Sequence, residues 1–212
     1  MRSTEPVTVR KLDLISHRDE IVSEEAAVET PVSIYVNAEP AATLFATPTA
    51  QPELAIGYLI GEGILRTYSD IHDVTWSEET TSVHVRTKPG AQVRIDAAKV
   101  VRVLTSACGS SEDFYRLLDR IDKPFVRSDY RVCVSEIARM MKEFNEHSLK
   151  FRRTGSFQYA AAFFEGEMKA FFEDVGRHNA VDKTLGAIMR TGLDSSQTVL
   201  VSSGRQSAAE VI

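Results

Sequence analysis

The sequence predicts an α/β protein that opens with an antiparallel, β-rich region. Three observations carry this expectation. Apolar and polar side chains alternate at residues 6–12 ("VTVRKLD") and 32–36 ("VSIYV"), as they do in half-buried strands. Apolar residues recur at helical spacing within 52–65, 135–147 and 177–191. Beyond residue 150 strands and a helix follow one another in the alternation of an α/β sheet.

Each element has a local reason. "NAEP" after the second strand reads as a hairpin turn. In "PELAIGYLIGEGIL" (52–65), Leu54, Ile56, Leu59, Ile60 and Ile64 fall largely on one stripe behind a proline suited to a first turn, and the glycines permit close packing, so a core helix is expected. "DVTW" (73–76) and "SVHVRT" (82–87) read as strands, and "GAQVRID" as a further one. Ser135 caps a helix that runs to His147 with Ile137, Met140, Met141 and Phe144 on its apolar side. There follow a strand at 157–164, a tight "EGE" turn, a strand at 168–174, a helix at 177–191 and a strand at 197–202. Val181, Leu185, Ile188 and Met189 give that last helix its apolar face, which assigns Asn179, Asp182 and Lys183 to its exposed or ligand-facing side. The chain stops at "SSGRQSAAEVI", in what reads as the first turn of another helix, so the natural protein is expected to continue.

The totals narrow the function classes. A chain of 212 residues with 43% hydrophobic and 26% charged residues suits a globular protein of one or two domains. Its net charge of −5 argues against a general polyanion or nucleic-acid binder. A local anion site remains open, because Arg152, Arg153, Arg177 and Arg205 all fall in the last third near glycines. The longest apolar run, "YAAAFF", is far short of a membrane span, and "MRSTEPVTVRKLDL" lacks the apolar block of a secretion signal, so a cytoplasmic protein is expected. Two cysteines, Cys108 and Cys133, give neither a disulfide framework nor paired zinc spacing.

Four stretches hold candidate chemistry. "LTSACGSSEDF" surrounds Cys108 with small residues, which fits either an exposed, reactive thiol near a helix start or an inert turn residue. Cys133, in "YRVCVSE", lies among apolar residues and is expected to be buried. "FFEDVGRHNAVDK" (171–183) reads as a polar helix start or solvated loop, or as a ligand site where a strand ends and the N–H groups of a helix begin. "VLVSSGRQSAAE" (199–210) repeats the strand, Gly-Arg, helix layout. Two such crossovers in one parallel sheet would place Arg177 and Arg205 along one edge, where two guanidinium forks suit phosphate; alternatively each pairs with Glu173 or Asp174. His178 fits a general base, a metal ligand or a base-stacking ring, but no second histidine or cysteine follows at metal-ligand spacing.

"EDVGRHNAVDKTLG", with "RTGSFQYAAAF", "SSGRQS", "ELAIGYLIGEGIL" and "ETPVSIYVNAEP", closely resembles the FdhD/NarQ family of formate dehydrogenase accessory proteins from about residue 29 to the end. The resemblance implies a cytidine-deaminase-like α/β/α core without the zinc, over residues 101–212, and a smaller β-rich α+β domain with one core helix over 1–100. It implies a sulfurtransferase that takes persulfide sulfur from a cysteine desulfurase and passes it to the molybdenum or tungsten bis-guanine-dinucleotide cofactor before insertion into formate dehydrogenase. GDP is then an analogue of the bound substrate, the formate dehydrogenase catalytic subunit is the client, and a homodimer is one assembly to expect.

Carried onto this sequence, Cys108 matches the sulfur-carrying loop. Thr154, Gly155, Asp174, Gly176, Arg177, His178, Asn179, Asp182, Ser203, Gly204 and Arg205 are the expected nucleotide contacts. The sequence departs from the family pattern at Ser111, where many members have a second cysteine, at "GSFQ" (155–158) in place of Gly-Gly-x-His, and at Ala209 in place of a glutamate. The resemblance implies a further C-terminal part that contributes to the nucleotide site, expected to lie beyond residue 212. These departures keep open a second expectation, a cofactor-binding chaperone without covalent sulfur chemistry. A deaminase comes third because the zinc ligands are lacking.

Overall fold

The computed structural model describes residues 1–95, 103–104 and 126–206. Cys108, Ser111 and Ala209 lie outside the described residues. Strands β1 (Thr4–Asp13) and β2 (Arg18–Ala27) form an antiparallel two-stranded ribbon. A five-stranded sheet follows in the order β5-β6-β3-β4-β7, from β3 (Thr30–Val36), β4 (Glu39–Ala46), β5 (Ile71–Ser77), β6 (Ser82–Thr87) and β7 (Val103–Leu104). The β3–β4 turn falls on Asn37 and Ala38, both at positive φ, as in the two-residue hairpin expected of "NAEP". "GAQVRID" forms no strand over its described residues; Val93 and Ile95 instead pack against the first core, and Arg94 N–H donates to the Ile64 carbonyl.

The first core lies between this sheet and helix α1 (Gln51–Gly61). Val32, Ile34, Val36, Leu44, Val83 and Val85 point inward from alternate strand positions. Every residue of α1 from Leu54 to Ile60 is buried. The helix therefore has no polar side, as expected of one covered on all faces rather than along one stripe. Its second neighbour is α4 (Arg177–Thr191), which lies against strands β8 (Gln158–Phe164) and β9 (Glu167–Asp174). Gly57 and Gly186 make the crossing of α1 and α4 close. A Cβ on Gly57 would lie 1.9 Å from the Asp182 carbonyl oxygen, and one on Gly186 2.0 Å from that of Glu53.

Helix α2 (Val134–His147) covers the opposite face of the second sheet, with Met140 and Phe144 against Tyr159, Ala161 and Phe163, while Ala160 faces α4. The short helix α3 (Leu149–Thr154) leads into β8, and β10 (Thr198–Ser202) completes the sheet in the order β10-β8-β9. Among the described residues this sheet is not the parallel one expected. β8 pairs antiparallel with both neighbours, because β8 and β9 are joined by a two-residue turn at Glu165 and Gly166, both at positive φ. Strands β9 and β10 still run the same way, one on each side of β8.

Candidate functional site

Because β9 and β10 share a direction, both end at the edge where β8 begins. Asp174 pairs with Gln158, and Ser202 with Ala160. The two Gly-Arg turns meet there: a Cβ on Gly204 would lie 2.7 Å from Arg177 Cβ and 3.0 Å from its Cδ. The sequence-derived placement of Arg177 and Arg205 on one edge therefore holds, through strands separated by an antiparallel one.

Helix α4 starts at this edge with Gly176 as its N-cap and no side chain capping it, the kind of helix start whose N–H groups suit an anion. Glycine is required at 176 because a Cβ would come within 2.7 Å of Asn179 Nδ2. Arg177 and His178, the first two helical residues, are half-buried. Arg177 Nε is buried and has no hydrogen-bond partner in this structure, and among the described residues neither Arg177 nor Arg205 forms an ion pair. The neighbouring carboxylates are engaged elsewhere. Glu173 Oε1 accepts from the N–H groups of Lys150 and Phe151 at the start of α3, at 2.9 and 3.1 Å, and Asp174 is wholly buried.

Asp174 accepts from four donors. Its Oδ1 takes Gly176 N–H at 2.8 Å and Asn179 Nδ2 at 3.0 Å, and its Oδ2 takes Thr47 N–H at 3.0 Å and Lys183 Nζ at 2.5 Å. Lys183 also donates to the Thr47 carbonyl at 2.9 Å, and Asn179 to that of Phe45 at 2.8 Å. Burial pushes the Lys183 ammonium down from the usual lysine range, and the Asp174 charge pulls it back. This corrects the expected helix face. Asn179 and Lys183 are buried and tie α4 to the end of β4, because their partner is the carboxylate that closes the preceding strand. Asp182 lies on the side of α4 that crosses α1, with its backbone against Gly57.

The second turn is closed by its own side chains. Ser203 Oγ accepts from Tyr159 N–H at 2.9 Å and donates to Gln158 Oε1 at 3.1 Å; Gly204 N–H returns to Ser202 Oγ at 3.2 Å. Arg205 is exposed beyond it. Thr154 and Gly155 lie just upstream of β8, where Gly155 (φ 66°) ends α3 and Thr154 Oγ1 donates to the Lys150 carbonyl and accepts from Ser156 N–H. The edge so assembled joins a helix start, a half-buried guanidinium and an exposed one, a set that suits phosphate oxygens. Gln158 and Thr47 were not among the sequence-derived candidates; each acts through a partner distant in the chain.

Cys133 is exposed, not buried as its apolar neighbours suggested. Cys133 stands at the start of α2, with its Sγ 3.1 Å from Ser135 Oγ and 3.3 Å from Glu136 Oε2.

The chain matches known proteins over most of its length. The family model described as FdhD/NarQ family matches residues 27–212. The chain is 35% identical over 185 residues to the sulfur carrier protein FdhD of Geobacillus kaustophilus, across 87% of this chain and 70% of that one. It is 30% identical over 188 residues to the protein of that name from Bacillus subtilis, across 88% and 71%. A crystal structure assigned as a formate dehydrogenase accessory protein from Desulfotalea psychrophila matches with a TM-score of 0.77 at 20% identity, covering 99% of this chain and 78% of that one. At that identity the likeness is one of fold.

Proposed function

Since this chain belongs to the FdhD/NarQ family, we propose that it is a sulfur carrier serving a formate dehydrogenase in the cytoplasm. In this reading Cys108 is the carrier. Its thiolate attacks the terminal sulfur of a cysteine desulfurase persulfide; the sulfur–sulfur bond there breaks, the desulfurase leaves as thiolate, and Cys108 holds the persulfide. The persulfide would then pass its outer sulfur to the molybdenum or tungsten of a bis-guanine-dinucleotide cofactor, the substrate: the Cys108 sulfur–sulfur bond would break, the metal would give up two electrons and keep the sulfur as bound sulfide, and Cys108 would return to thiolate.

The observation that carries the reading is the meeting of the two Gly-Arg turns at one edge, with Arg177 Nε buried and unsatisfied. Arg177, Arg205 and the first turn of α4 would hold the nucleotide phosphates, with His178 beside them, and GDP would bind as an analogue. The tether to the thiol is short. Leu104, four residues before Cys108, pairs in β7 with Leu44. A four-residue chain spans at most about 14 Å. Thr47, near the same end of β4, is bonded to Asp174 behind the nucleotide edge. Strands β8 to β10 with α4 and α2 would form the cytidine-deaminase-like core, and a homodimer is the proposed assembly.

Ser111 in the place of a second cysteine favours the alternative, a cofactor-binding chaperone without covalent sulfur chemistry. Complementation separates the two. In a cell lacking its own accessory protein, the wild-type chain and Cys133→Ser are expected to restore formate dehydrogenase activity, and Cys108→Ser is not. Restoration by Cys108→Ser would favour the chaperone.

A further inference from the structure

Lys183 is a fully buried lysine to which the sulfur chemistry gives no role. Its Nζ lies 2.5 Å from Asp174 Oδ2, and both side chains are inaccessible to solvent. Such pairs are seldom explained by stability, because desolvation offsets their attraction and an apolar replacement is often neutral. The surroundings give another reason. Asp174 meets four donors, Gly176 N–H, Asn179 Nδ2, Thr47 N–H and Lys183 Nζ, and only an acceptor with all its lone pairs free, an ionised carboxylate, satisfies them together. The anchor of the first turn of α4 is therefore an anion. It stands directly behind the N–H groups that would receive a second anion, the nucleotide phosphate.

We propose that Lys183 is a positioning residue for anion binding at this edge: it neutralises Asp174, so that the carboxylate can anchor the Gly176 turn and Thr47 without repelling phosphate in front of them. The inference rests on the nucleotide reading of the edge. It explains why Lys183 reaches past its own helix to the Thr47 carbonyl and into a buried pair. A Cβ at position 176 would come within 2.7 Å of Asn179 Nδ2 and 3.4 Å of Asp174 Oδ1, so no side chain at that position can stand between the carboxylate and a ligand.

The test is calorimetric titration of GDP into the full chain and three variants, with thermal unfolding of each. Lys183→Met leaves the carboxylate uncompensated, and GDP affinity is expected to fall on the order of tenfold, the effect of one extra charge a few ångströms away in a partly screened medium. Asp174→Asn/Lys183→Met removes both charges; its amide satisfies fewer of the four donors than the carboxylate does, but it is expected to bind GDP more tightly than Lys183→Met, the coupling expected of paired groups. Asp174→Asn alone is expected to bind more tightly than the double variant. Affinity that follows net charge and not melting temperature supports the proposal. Wild-type affinity in Lys183→Met, or a double variant as weak as Lys183→Met, overturns it. Should Lys183→Met not fold, equal affinities of Asp174→Asn and the double variant overturn it, and tighter binding by Asp174→Asn supports it. Failure of the wild type to bind GDP would overturn the nucleotide reading itself.

Discussion

Gly186→Ala and Gly57→Ala probe the crossing that sets α4, and with it the nucleotide edge, against the first core. Both positions are helical, and in an open helix alanine in place of glycine stabilises by about 1 kcal/mol. Here the new methyl group would meet backbone, 2.0 Å from the Glu53 carbonyl oxygen in one variant and 1.9 Å from that of Asp182 in the other. Relief to an ordinary 3.4 Å contact in the first requires the helices to part by about 1.4 Å. No flexible side chain can absorb that, so the upper end of the overpacking range applies, about 3 kcal/mol. The net loss is then about 2 kcal/mol, which lowers the melting temperature of a chain of this size by roughly 4–8 °C. One separation relieves both clashes, so the double variant is expected to lose less than the sum. Gly61→Ala is the control on the same helix. Its Cβ would stand 3.7 Å from Asp182 Oδ1, an ordinary contact, and the melting temperature is expected to hold or rise. Circular dichroism melts decide: Gly57→Ala or Gly186→Ala unfolding at or above the wild-type temperature would refute the reasoning.

Arg177→Ala is expected to weaken GDP binding by tenfold or more, the loss of a charge-assisted hydrogen bond of about 1.5–3 kcal/mol, and the exposed Arg205→Ala by less; unchanged titrations in both would exclude the phosphate clamp. Gly204→Ala pushes a methyl group to 2.7 Å from Arg177 Cβ, so it too should weaken GDP binding, while its melting temperature moves less than that of Gly186→Ala. Cys133, exposed at the start of α2, is expected to alkylate in the folded protein at a rate near that of the denatured chain, which peptide mass mapping reads directly. Cys133→Ser should still accept sulfur.

The elements with strong local signals were legible in the sequence. The Asn37–Ala38 hairpin, the helix over 177–191 and the Glu165–Gly166 turn each depend on residues adjacent in the chain, and the structure forms them where the pattern places them. What was hidden depends on partners far along it. Lys183 reads as an exposed or ligand-facing residue on a helical wheel, because the wheel does not show Thr47, 136 residues away, or the Asp174 carboxylate that the strand end turns inward. Cys133 reads as buried because its neighbours are apolar, yet Val134 beside it is 82% exposed at the start of α2. Helix α1 reads as one stripe because the sequence shows one partner; the second, α4, accounts for its burial on every side. The same-edge placement of Arg177 and Arg205 was recoverable because the Gly-Arg motif recurs after two strands, and it survived the wrong sheet direction because an antiparallel strand lies between them.

The central claim, that Cys108 carries the sulfur, is tested most directly by mass. Incubation of the full chain with a cysteine desulfurase and cysteine is expected to add one sulfur to the peptide that contains Cys108, an addition that a reducing agent removes and that Cys108→Ser lacks with Cys133 intact. Sulfur found on Cys133 instead, or an undiminished gain in Cys108→Ser, would contradict it.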